Sequence, residues 1–123
     1  MPVFMSADAA RYETHGSRFS SYVAPSRGSD QLCAWRLDVP AGLDGVAHRP
    51  SHEEVLLVLA GVLHITLDGA TVDAGPGDVV LVPANTELRV DGGPTEASAW
   101  VTTTPGLEAV TPDGSRIVPP WAQ

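Results

Sequence analysis

The chain has no lysine and a single cysteine, Cys33. The first absence removes lysine Schiff-base chemistry, and the second removes any internal disulfide. Without a C-x-x-C pair there is no dithiol redox centre or zinc knuckle, and without G-x-S-x-G there is no nucleophile elbow. The glycine turn at Gly75-Pro76-Gly77 lacks the lysine and helix that a phosphate loop needs. No apolar run approaches the roughly 20 residues that cross a bilayer. The opening MPVFMSADAARYETHG has no basic start leading into an apolar stretch, so it does not read as a signal peptide. Together these features lead us to expect a reducing, cytoplasmic setting. Positive charge is also scarce: seven Arg stand against 15 acidic residues, for a formal net charge of −8. An acidic chain without a basic cluster is a poor ligand for nucleic acid or anionic membranes, and neither is expected as a partner.

What the chain does have is glycine and proline, 12 and 11 of them among 123 residues, spread along its length. One domain of that size can bury a core without staples. The spread favours many short elements joined by tight turns over a few long helices. Helical periodicity is weak, with one short helix expected at 6–12, where Ser6 and Asp8 are available as caps. Elsewhere the pattern is β. Residues 31–39 alternate cleanly, with Cys33, Trp35, Leu37 and Val39 on one face. Strands are expected at 19–24, 46–48, 55–60, 62–67, 71–74, 79–82, 86–90, 97–103, 107–110 and 116–118, with 91–94 as a loop. Asp68-Gly69 is a hairpin turn because both residues tolerate positive φ. Short strands at this spacing specify an all-β sandwich or barrel.

Two stretches carry a family resemblance. GVAHRPSHEEVLLVLAGVLHITLDG resembles the first motif of the cupin superfamily, and AGPGDVVLVPANTELRV resembles the second. The likeness implies a double-stranded β-helix, or jelly-roll barrel, of two antiparallel sheets around one small cavity, in a protein that is usually a homodimer. On that layout residues 31–104 form the barrel core, 1–30 supply N-terminal strands, and 105–123 form a docking tail, all within one domain. Metal-binding cupins have two histidines one residue apart, a glutamate about four residues on, and a third histidine from the second motif. Here Glu54 falls on the glutamate and His48 on the first histidine, while Pro50 and Leu88 occupy the other two positions. Proline offers no ligand atom and leucine dries the pocket.

His52 shares parity with His48 and Glu54, so in an extended segment the three would face one way and form a set for a divalent metal. His48, His52 and Glu54 are therefore the candidate metal ligands, for weakly bound Fe, Mn, Ni or Zn, if there is a cofactor at all. The competing reading makes His48 and Glu54 a polar pair in a barrel without a firmly held metal, bonded to each other or to a ligand. In a dry pocket Glu54 would have a raised pKa, which makes Glu54 and His48 candidates for acid–base catalysis. Trp35, Leu88, Trp100, His48, His52 and Glu54 are the expected ligand-binding residues. Three functions remain open: a small-molecule-binding cupin, a metal-dependent dioxygenase or isomerase, and a non-catalytic assembly protein. Cys33 reads as a buried small hydrophobe, Arg36 and Arg89 as surface salt-bridge partners, and His64 as an outer-face residue. His15 has no partner by spacing. Residues 55–60 are apolar on both faces, so the face away from the interior needs cover from further strands or a second subunit.

Overall fold

In the computed structural model, residues 2–123 are described. These residues form twelve strands: β1 (Ala10–Thr14), β2 (Ser17–Val23), β3 (Cys33–Val39), β4 (Arg49–Pro50), β5 (Glu54–Ala60), β6 (Leu63–Leu67), β7 (Ala70–Ala74), β8 (Val79–Val82), β9 (Leu88–Gly92), β10 (Ala97–Thr103), β11 (Ala109–Val110) and β12 (Arg116–Ile117). One layer is a six-stranded sheet in the order β1-β2-β3-β10-β5-β8. The other is split into two three-stranded halves, β7-β6-β9 and β12-β11-β4. A single bridge, His48 to Leu88, joins the halves. Every strand pairing is antiparallel.

Alternation fixes which side chains fill the interior. Cys33, Trp35, Leu37 and Val39 of β3 are all buried, as are Leu56 and Val58 of β5 and Ala97, Ala99 and Val101 of β10. Leu63 and Ile65 of β6 and Leu88 of β9 belong to the same cluster. His64, between two buried neighbours, turns outward and bonds Asp73 on β7. Asp68 and Gly69 take φ of 46° and 86° in the β6–β7 turn. Gly61 ends β5 with φ 70°, and a Cβ there would sit 2.5 Å from the Glu96 carbonyl oxygen. Backbone conformation and close approach both demand glycine at this point.

The helix expected at 6–12 does not form. A 3-10 turn at Ser6–Asp8, without a side-chain cap, gives way to β1. Sheet pairing overrides a weak local signal here, because β1 runs in register with β2 from Ala10↔Ser21 to Thr14↔Ser17. Asp91 and Gly92, expected in a loop, extend β9 because β6 pairs with it as far as Leu63↔Gly92. The segment 46–48 is not a strand of its own; pairing is concentrated at His48 and then β4. The C-terminal tail docks on its own barrel: Trp121 stacks on Phe19 with ring centroids 3.7 Å apart, and lies edge-on to Trp35. The Ser21 hydroxyl donates to the Trp121 carbonyl at 2.7 Å.

The second face of β5 stays uncovered within the chain. Val55 and Leu59 are exposed, and so are Val79 and Leu81 of β8. Cross-strand pairing sets Leu81 beside Val55 and Val79 beside Leu57, which makes one apolar strip along the edge of the sheet.

Candidate functional site

A cavity of about 130 Å³ lies between the layers. The inward register of β5 places Glu54 in its wall on the same side as Leu56 and Val58. Glu54 is only 6% exposed. Its carboxyl group makes no hydrogen bond to any described residue, and burial pushes its pKa from 4.5 up to about 7.

His48 reaches the cavity from the other layer. Its backbone exchanges two hydrogen bonds with Leu88, at 3.0 and 2.7 Å, so the two side chains stand as direct cross-strand neighbours in the cavity wall. Nδ1 lies 2.9 Å from the Val46 carbonyl oxygen. A carbonyl only accepts, so Nδ1 carries the proton and the neutral ring keeps a lone pair on Nε2. Burial lowers the His48 pKa. The bond to Val46 opposes that shift, and nearby His15 adds to it.

Trp35 and Leu88 line the cavity as expected, but two other expected residues do not. His52 turns away to the end of β10, where Nδ1 meets the Thr104 hydroxyl at 2.9 Å and its ring lies against Gly106. The short β4 and the Ser51 bond to the Glu108 carbonyl bend the chain between His48 and His52, so parity does not carry across. Trp100 lies on the outer face of the six-stranded sheet, tilted against Tyr22 at 5.4 Å. Its cross-strand partners are Arg36 and Leu57. Arg36 pairs with Asp38, and Arg89 with Asp91. Cys33 is fully buried and its thiol donates to the Ala122 carbonyl.

The structure adds residues that spacing left out. His15 lines the cavity mouth from the β1–β2 turn, and Phe19 and Trp121 form part of the wall. His15 and Gly16 both take positive φ, 51° and 84°. Thr14-His15-Gly16-Ser17 therefore carries the signature of a two-residue hairpin, and that signal would have brought His15 back over the barrel.

The donor set does not fit a firmly held metal. Among the described residues, no group of three or more His, Cys, Asp or Glu side chains is placed to bind an ion. His48 and Glu54 supply two donors, Leu88 stands beside His48 where a third would be needed, and His52 points elsewhere.

The Cupin domain family model matches residues 35–103. The chain belongs to the cupin family. Solved structures share the barrel. The polyketide cyclase RemF from Streptomyces resistomycificus superposes with a TM-score of 0.76 at 18% identity, over 87% of this cupin and 83% of that chain. An RmlC-like cupin from Shewanella frigidimarina gives 0.71 at 20% identity, over 83% and 88%. KdgF from a Halomonas species gives 0.71 at 16%, over 82% and 92%. At these identities the likeness is one of fold. Among curated proteins, 80 residues are 34% identical to an endoribonuclease YbeY of Myxococcus xanthus, covering 63% of this cupin. This cupin spans only 27% of that protein's length. No helix among the described residues is long and apolar enough to cross a membrane.

Proposed function

We propose that this cupin binds a small organic molecule in the cavity walled by His48 and Glu54, without a firmly held metal. One observation carries the reading: Glu54, 6% exposed, turns its carboxyl into a mostly apolar cavity where no described residue hydrogen-bonds it. Such a group costs stability unless something binds it. The small-molecule chemistry named for RemF is in keeping with this use of the barrel. With a pKa near 7, Glu54 also suits proton transfer to or from a bound molecule, opposite the free His48 nitrogen. The metal-enzyme reading that used His52 as a third ligand has no support from the position of that ring. Elemental analysis of protein purified without an affinity tag tests the proposal. Less than about a tenth of an equivalent of iron, manganese, nickel, copper or zinc is expected, and a full equivalent retained through dialysis would overturn it.

The apolar strip of β5 and β8 supports a homodimer in which a second copy covers it. The single buried cysteine agrees with a reducing, cytoplasmic setting.

A further inference from the structure

The following rests on the reading of the cavity as a small-molecule site and narrows the class of molecule. Size comes first. An engineered cavity of about 150 Å³ holds one benzene ring, and this cavity measures about 130 Å³. Lining agrees, because three aromatic side chains, Phe19, Trp35 and Trp121, form part of the wall. An aromatic or other flat ring is the natural filling for walls of this kind.

Charge decides the rest. No arginine lines the cavity. All seven are engaged outside it. Arg18, Arg36, Arg49, Arg89 and Arg116 pair with carboxylates. Arg11 bonds the Ser20 hydroxyl, and Arg27 the carbonyls of Tyr22 and Asp8. There is no lysine. His48 has committed its Nδ1 proton to Val46 and is held toward its neutral form by burial. Apart from the imidazoles of His48 and, at the mouth, His15, the cavity offers an anion no cationic side chain, and it presents a carboxylate that would repel one. The ionised Glu54 carboxyl and the His48 Nε2 are both acceptors, and neither finds a donor in the protein.

We propose that the cavity selects an uncharged single-ring molecule bearing an O–H or N–H group, of the phenol or cyclic-amide class. That group donates to Glu54, and carboxylates and phosphates are turned away. The ring packs among Phe19, Trp35 and Trp121, and its donor end lies toward Glu54 and His48.

Phenol, toluene and benzoate test the idea, since they share one ring and differ in donor and charge. Each is titrated into the full chain and into Glu54→Gln at about pH 8, with binding read by ligand-observed NMR and tryptophan fluorescence. Phenol should bind about tenfold tighter than toluene, the value of one charge-assisted hydrogen bond. Benzoate should bind more weakly than either. In Glu54→Gln, phenol should lose most of its advantage while toluene is unchanged. Benzoate bound as tightly as phenol would overturn the selection for uncharged rings and leave the cavity reading standing. Toluene bound as tightly as phenol, or phenol affinity indifferent to Glu54→Gln, would overturn the role of Glu54 in the same way. If none of the three binds, the small-molecule reading of the cavity falls with the inference. The wild-type comparison of the three ligands stands even if Glu54→Gln folds poorly.

Discussion

Replacing Glu54 with glutamine should make the protein more stable, and by an amount that depends on pH. The carboxyl is buried in an apolar wall with no protein partner, and its pKa is pushed from 4.5 up to about 7. A raised carboxylate pKa has the following consequence. Below the unfolded value both states hold the proton and burial costs nothing extra. Between pH 4.5 and about 7 the unfolded chain gives up the proton while the folded chain keeps it, so stability falls as pH rises. Above about 7 both states are ionised and the loss is complete. A shift of this size corresponds to about 3 kcal/mol, or roughly 10 °C in Tm for a domain of this length. Glutamine fills the same space without a charge to desolvate. Denaturant unfolding of both proteins, from below about pH 4 to above about pH 8, measures the difference directly. The other carboxylates titrate in both proteins and cancel. The advantage of Glu54→Gln should grow through the window and then level off. A stability difference that is flat across pH would refute the assigned environment of Glu54.

Three further outcomes are expected. Trp121→Ala removes the ring stacked on Phe19 and opens the cavity wall, and should cost about 3–5 kcal/mol in denaturant unfolding; a loss under about 1 kcal/mol would show that the tail docks only loosely. Leu88→His puts an imidazole beside His48 as its cross-strand neighbour, and should raise zinc or nickel retention through dialysis well above that of the unaltered protein; unchanged metal content would show that Glu54 and His48 cannot converge on an ion. Leu81→Glu, in the exposed strip shared with Val55, should convert a species of twice the monomer's mass into a monomer in light scattering; a protein that is monomeric before the change removes the dimer.

Much of this barrel is legible in the sequence because burial imposes a period of two. Cys33, Trp35, Leu37 and Val39 point inward in β3 just as their alternation requires, and Gly61 and Asp68-Gly69 mark turns whose φ values leave few alternatives. Pairing across long sequence distances is where the pattern fades. The start of β1, residues 10–12, reads as the end of a helix because only its pairing with β2 makes it a strand. The site was half legible for a related reason. Glu54 shares an uninterrupted strand with Leu56, so parity predicts its direction. His52 lies beyond a bend, where parity stops working, and its ring is drawn to Thr104 instead. Trp100 has the parity opposite to Ala99 and Val101, so alternation itself places it on the outer face. His15 and Trp121 sit far from the motifs in sequence, and only closure of the barrel and docking of the tail bring them to the cavity.

Glu54 also stands apart from the other buried polar groups. Ser21 donates to the Trp121 carbonyl and Thr103 to the Glu53 carbonyl, each at 2.7 Å. The Cys33 thiol reaches the Ala122 carbonyl. The Ser98 hydroxyl lacks a partner, but it sits where the β10–β5 register shifts, and a neutral hydroxyl costs far less than a charge. A barrel serving only as scaffold would gain from leucine or methionine at position 54, as it already has leucine at 88. Instead the inward register costs about 3 kcal/mol above about pH 7 to hold a carboxyl against a mostly apolar cavity. A residue that breaks a folding rule at this cost marks a functional or strained site, and Glu54 fits a functional one because its carboxyl faces the cavity. A ligand that donates a hydrogen bond to Glu54 offsets part of that cost. A ligand that binds through Glu54 should therefore stabilise the unaltered protein more than it stabilises Glu54→Gln, and so narrow the gap in stability between the two.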